Sequence, residues 1–143
     1  EIDDLKVRAD PDGLAIVLRN LMDNAVKFSR YVSQPEIAIR AQSAADFCVL
    51  AVKDNGIGFD MKFYHKIFEI FHRLHRAEDY PGTGIGLAMV QKAMERMGGK
   101  IWAESQPGAG ATFYLRLPLF NSAARVDPEN PPESSFNSQL PSL

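Results

Sequence analysis

Two carboxamides and an ammonium recur at four- and three-residue spacing in Asn20-Leu21-Met22-Asp23-Asn24-Ala25-Val26-Lys27-Phe28-Ser29. On an α-helix, Asn20, Asn24 and Lys27 fall along one line of the surface. Carboxamide oxygens are ligands for a hard cation, and the lysine offers positive charge to an anion. Further on, Asp54 stands before two glycines in Asp54-Asn55-Gly56-Ile57-Gly58. Backbone without a Cβ lets a ligand come close, and the carboxylate can accept a hydrogen bond from an exocyclic amine. Alternate glycines in Gly82-Thr83-Gly84-Ile85-Gly86-Leu87 run straight into a helical pattern, and free N–H groups at a helix start bind phosphate. Taken singly, each stretch has a plainer reading: a solvated helix face, a hairpin turn, a flexible helix start. Neither a Gly-x-Gly-x-x-Gly turn after a strand nor a Walker A loop with its lysine is present, which disfavours those two nucleotide folds.

The elements that must hold these residues are legible from periodicity. Asp10 and Pro11 suit the cap and first position of a helix running to about Ser29, with Leu14, Val17, Leu18, Leu21, Ala25 and Phe28 as its apolar stripe. Leu5, Val7 and Ala9 alternate with Lys6 and Arg8, the pattern of a short half-buried strand. Alternation from Glu36 to Ala41 and an apolar run from Phe47 to Val52, joined by the polar Gln42 to Asp46, predict a hairpin. Asp60 suits the cap of a short helix reaching Lys66, and His72 to Thr83 reads as loop. A helix from Gly86 to Met97 stops at Gly98-Gly99, and strands Lys100 to Glu104 and Ala111 to Leu117 flank a Pro107-Gly108-Ala109-Gly110 turn. The expected architecture is α+β: a two-layer sandwich of a mixed, about five-stranded sheet with helices on one face.

The chain's 143 residues are enough for one domain with a real core. A net charge of −2 gives no sign of nucleic-acid or membrane-surface binding. The single cysteine, Cys48, lies in an apolar run and reads as a buried small hydrophobe; with no partner for an internal disulfide, a reducing, cytoplasmic setting is expected. No apolar run reaches membrane-spanning length. The chain opens directly on Glu1, as a piece of a longer protein would. Residues 1–120 are expected to form the domain and 121–143, rich in Pro, Ser and Asn, a tail or linker.

The ordered set is far more specific than any member. Asn20/Asn24/Lys27, then Asp54/Gly56/Gly58, then Phe68-Glu69-Ile70-Phe71, then Gly82/Gly84/Gly86 resembles the N, G1, F and G2 boxes of the sensor histidine kinase catalytic domain. That domain belongs to the wider ATPase group with DNA gyrase, the mismatch-repair protein MutL and the large heat-shock ATPase chaperone. Tyr80-Pro81-Gly82-Thr83-Gly84 is similar to the phytochrome-like bacterial kinases within it. The resemblance covers about Asp10 to Leu119. It implies ATP and Mg²⁺ as cofactors. Asn24 takes the place of the metal asparagine with Asn20 beside it, Lys27 that of the phosphate-contacting lysine, and Phe28 an aromatic beside adenine. Asp54 matches the acceptor for adenine N6, with Gly56, Ile57 and Gly58 shaping the pocket wall. Phe68, Gly82, Thr83, Gly84, Ile85, Gly86, Leu87 and Thr112 complete the expected ATP site, and Arg73 and Arg76 are the basic residues that reach the γ-phosphate.

Hydrolysing members of the group carry a glutamate four residues before the metal asparagine, as general base for water; here that residue is Asn20. A carboxamide takes no proton near neutral pH, so the site should hold ATP while activating water poorly. The resemblance then implies transfer of the γ-phosphoryl group to a histidine on a separate helical dimerisation domain, with a response regulator downstream and no direct membrane contact by this domain. Tyr64 to Thr83 would be a mobile lid, and Phe68 and Phe71 either anchors for the acceptor helix or core residues. His65, His72 and His75 lack the sequence context of a phosphoacceptor and read as lid or surface residues. An ATP hydrolase or switch, a serine-directed kinase of the anti-sigma type and a non-catalytic binding module are the rival readings.

Overall fold

The computed structural model of the chain describes residues 5–70, 74–75, 84 and 86–120. Helix α1 spans Pro11–Ser29. Its start is set by the Asp10 carboxylate, which accepts the Gly13 N–H at 2.8 Å, with proline in the first turn where no N–H is needed. Val17, Leu21 and Ala25 bury the stripe anticipated above, which leaves Asn20, Asn24 and Lys27 half-buried at its margin.

Strands β1 (Ile37–Ala44) and β2 (Phe47–Asp54) pair antiparallel, Ile37 opposite Asp54. Their connection is tighter than expected. Both strands run to a two-residue turn at Ala45 and Asp46, with Ala45 at φ 51° in the left-handed region. A short 3₁₀ helix, Met61–Lys66, starts from Asp60, whose carboxylate accepts the Lys62 N–H at 3.0 Å. Helix α2 (Gly86–Arg96) then leads to β3 (Lys100–Gln106) and β4 (Gly110–Pro118).

The sheet order is β1-β2-β4-β3. β4 enters between β2 and β3 and pairs antiparallel to both, with Asp54 opposite Ala111 and Ser105 opposite Ala111 on the other side. This corrects the expectation of a mixed, about five-stranded sheet: the described residues form four strands, antiparallel throughout. The fifth, at Leu5 to Ala9, amounts to one bridge, Val7 with Leu119, flanked by Arg8 N–H to the Pro118 carbonyl (2.7 Å) and Phe120 N–H to the Lys6 carbonyl (2.9 Å). The chain turns into its helix cap at Asp10 before a longer ladder can form.

α1 and α2 pack on one face of the sheet. Val17, Leu21, Ala25, Val90 and Met94 meet Val52, Ile101, Ala103, Phe113, Leu115 and Leu117 there. The opposite face carries Val49, Ala51 and Tyr114, with Trp102 stacked on Tyr114 at 5.2 Å. Cys48 is buried, as its surroundings suggested.

Candidate functional site

The C-terminal end of β2 meets the last turn of α1, and that meeting builds the site. Asp54 closes β2 with 5% of its surface exposed. One of its oxygens accepts the Gly56 N–H at 2.8 Å. Burial pushes the carboxyl upward first, and bonds from the Gly56 and Ala111 backbone pull it partly back. A carboxylate withdrawn from water has about four lone-pair sites, so with the Gly56 and Ala111 backbone bonded to it there is still acceptor capacity for a donor from a ligand.

The turn after Asp54 is fastened to the helix. Ile57 N–H donates to the Phe28 carbonyl at 3.0 Å, and a Cβ at Gly56 would collide with that same carbonyl. Only glycine allows β2 to run this close to the end of α1. Gly58 sits at φ +65°, where a Cβ would strike the Gln106 carbonyl, and Gly108 N–H donates to the Ile57 carbonyl at 2.7 Å. Behind it the Ser105 hydroxyl accepts the Phe59 N–H and donates to the Gly110 carbonyl, both at 2.8 Å. The glycine turn is thus held from one side by α1 and from the other by the β3–β4 hairpin. Asn55 locks its outer edge, accepting the Glu36 N–H and donating to the Gln34 carbonyl, each at 2.9 Å.

On α1, the Lys27 ammonium lies 4.7 Å from the centre of the Phe28 ring. His75 reaches the same ring from the other segment, centroid to centroid 5.4 Å. Asn20 spends its amide N–H₂ on the Ile16 carbonyl (2.9 Å), and its oxygen faces the start of α2: a Cβ at Gly86 would stand 3.0 Å from Asn20 Oδ1. The N-terminus of α2 is therefore brought against the Asn20 line of α1. As a carboxamide, Asn20 offers no proton-accepting group there.

The structure thus gathers Asn20, Lys27, Phe28, Asp54, Gly56, Ile57, Gly58 and Gly86 around the junction of β2, α1 and α2, with Asn24 half-buried on the same line of α1. Gly84 takes φ 77° just ahead of α2, and Leu87 packs on the core. Phe68 also turns inward, edge-on to Tyr64 at 5.9 Å, which gives it a packing role; Ile70, 58% exposed, is the apolar residue presented outward beside it. Thr112 is not brought to the site. It alternates with the core-facing Ala111 and Phe113 and registers with Lys53 and Glu104, on the opposite face of the sheet from the Asp54–Ala111 pair. Arg73, Arg76, Gly82, Thr83 and Ile85, and most of the expected lid with Phe71 and His72, lie outside the described residues.

Two sets of residues escaped sequence reasoning. Ser105 and Gly110 support the Gly58 turn from some fifty residues away, and nothing local to them signals it. His75 reads as a surface residue in sequence but is half-buried against Phe28.

Among the described residues no group of three or more His, Cys, Asp or Glu is placed to hold a metal. The Asn24 carboxamide offers a single neutral oxygen, so a Mg²⁺ ion held there would draw its other ligands and balancing charge from phosphates and water.

Known proteins resemble this chain in sequence and in fold. Residues 9–121 match the family model described as histidine kinase-, DNA gyrase B- and HSP90-like ATPase. The phytochrome-like protein Cph1 of Synechocystis is 47% identical over 115 residues, covering 80% of this chain and 15% of that protein. Sensor histidine kinase WalK of Bacillus subtilis is 36% identical over 117 residues, covering 80% and 19%. Among solved structures, the mycobacterial sensor histidine kinase MprB superposes with a TM-score of 0.72 at 28% identity, covering 82% of this chain and 78% of that one. Full-length ShkA in complex with AMPPNP superposes at 0.70 with 29% identity, covering 84% and 24%. The chain belongs to the histidine kinase-, DNA gyrase B- and HSP90-like ATPase family, and its fold is that of the ATP-binding catalytic domain of histidine kinases. It spans less than a fifth of the length of these two curated relatives.

Proposed function

We propose that this domain binds ATP with Mg²⁺ and passes the γ-phosphoryl group to a histidine on a separate helical domain, from which a response regulator takes it. The observation that carries this reading is the pairing of a buried acceptor, Asp54, with an amide-only position at Asn20. Asp54 selects a base bearing an exocyclic amine, and Phe28 offers it an apolar surface. The start of α2 and Lys27 supply positive potential for phosphates. Mg²⁺, held through Asn24 and the phosphate oxygens, would neutralise charge on the transferring group. Phosphoryl transfer depends on positioning and electrostatics more than on covalent help from protein groups. The acceptor imidazole can therefore come from another domain, while water gains no base from Asn20.

Among the described residues, no helix is long and apolar enough to cross a membrane. A cytoplasmic setting follows from the chemistry, since ATP and response regulators are found there. Residues 1–120 act as the catalytic unit in this reading, and 121–143, outside the described residues, as a connection or tail.

The test is a titration of the purified chain with Mg-ATP, following binding and phosphate release together. Binding without steady release, followed by acid-labile labelling of an added helical domain that carries the acceptor histidine, is the expected result. Steady release would assign the chain to the hydrolases of its family. An acid-stable label on a protein partner would mark a serine-directed kinase, and no binding would leave the fold as an interaction surface.

A further inference from the structure

His75 stands where three pieces of the chain converge. Its ring packs against Phe28, tilted by 59° with centroids 5.4 Å apart. Its hydrogen bond to the Gly58 backbone favours the protonated ring. Only an acceptor does that, so the imidazole N–H donates to the Gly58 carbonyl. The Lys27 charge acts on it from α1. The residue before it, Leu74, packs on the main core. Two consecutive side chains thus fasten this point, one inward and one to the wall formed by Phe28 and the glycine turn.

We propose that His75 is a positioning residue of the nucleotide site, which holds the Phe28 ring and the Gly58 turn in register so that the adenosine half of the nucleotide meets a preformed wall. This rests on the reading of the site as an adenine-nucleotide site. Phe28 lies in the last turn of α1, half-buried, and its carbonyl is already bound to Ile57. Its backbone is therefore fixed by the turn, and its ring is flanked by the Lys27 ammonium and by the tilted imidazole of His75, an aromatic partner that comes from outside α1. Burial and Lys27 both favour the neutral ring, with the Gly58 carbonyl opposing them. A neutral ring is the form that packs on an aromatic without placing a second cation beside Lys27. A residue that orders the wall and does not touch phosphate affects ATP, ADP and AMP equally.

The experiment is calorimetric titration of the chain with ATP, ADP and AMP, in wild type, His75→Ala, His75→Phe and His75→Gln. His75→Ala should weaken all three nucleotides by the same factor, about three- to ten-fold, which is what an aromatic pair of this kind is worth. His75→Phe, which restores a ring against Phe28, should recover most of the loss, and His75→Gln, which keeps only a donor for Gly58, less. Unchanged affinity in His75→Ala overturns the proposal. So does a loss that grows from AMP to ATP, which would put His75 on the phosphates, or an equal loss in all three variants with a lowered melting temperature, which would make it fold support alone. If wild type binds none of the nucleotides, the adenine-site reading and this role fall together. If wild type binds, Asp54→Asn does not, and His75→Ala matches wild type, only the role of His75 falls.

Discussion

Replacing Asp54 with asparagine separates the cost of the site from its use. The side chain keeps its size, and its remaining oxygen can still take the Gly56 N–H that now lies 2.8 Å from Oδ1. What then faces the ligand is an N–H₂ group, and against an adenine amine this sets donor to donor. A hydrogen bond to a charged acceptor contributes about 1.5–3 kcal/mol, so the affinity for ATP should fall by about ten- to a hundred-fold. Guanine carries an oxygen where adenine carries the amine, so GTP should lose nothing and gain relative to ATP. Stability should move the other way. Burial holds the Asp54 carboxyl above its ordinary range, so ionising it costs the folded state once the pH rises above that range. At neutral pH Asp54→Asn removes this cost along with the charge-assisted part of the Gly56 and Ala111 bonds; burial is the larger of the two effects, so the melting temperature should stay level or rise. As the pH falls through the ordinary carboxylate range the cost vanishes in wild type, and the two proteins should converge. Calorimetric titration with ATP and GTP, paired with thermal melts from neutral to acid pH, reads both effects. Unchanged ATP affinity would refute the assignment of Asp54 as the base acceptor. Lost binding with a melting temperature lowered at neutral pH would show instead that the carboxylate serves the fold.

Gly56→Ala places a Cβ against the Phe28 carbonyl and 2.9 Å from Asp54 Oδ1; a thermal or urea melt should show about 1–3 kcal/mol of lost stability, the usual cost of overpacking, together with weaker nucleotide binding. An alanine tolerated there at full stability would mean that the turn and helix are not in contact as described. Asn24→Ala should weaken binding about ten-fold with Mg²⁺ present, the scale of one charge-assisted contact, and hardly at all with a chelator; equal loss in both conditions would count against metal ligation. Cys48 is 5% exposed, and burial pushes its thiol up, only partly offset by the Gln42 backbone. The native chain should therefore resist a thiol reagent at mildly alkaline pH and react at once in denaturant, whereas rapid native labelling would show that β2 opens.

Local signals carried much of the structure because they act over a few residues. Asp10-Pro11 start α1 through a side-chain cap and a missing N–H, both set by neighbours in the chain. The Asn20/Asn24/Lys27 line follows from helical period alone, and the glycines at 56 and 58 announced tight backbone before any partner was known. The parity of β4 was also legible: Ala111 and Phe113 alternate with Thr112, so Thr112 cannot share their face. What the resemblance assigned to the ATP site, the alternation sends to the other side.

Other features belong to contacts between distant segments. The insertion of β4 between β2 and β3 is a matter of which edges meet, and it alone places Ser105 and Gly110 behind the Gly58 turn. Phe68 and Ile70 are both large and apolar in the sequence; only packing turned the first toward Tyr64 and left the second exposed. His75 has no period, cap or spacing to mark it; its place shows only in the packing, where Leu74 lies against the core and His75 against Phe28. The helices, the glycine turns and the kinds of chemical group on offer were legible in the sequence, since those depend on short-range sterics and hydrogen bonding; the β1–β2 turn was tighter than its polar stretch suggested. The tertiary structure decided which of those groups face one another, since the buried Asp54, the Phe28 carbonyl and the hairpin behind Gly58 are joined by contacts that no stretch of chain contains alone.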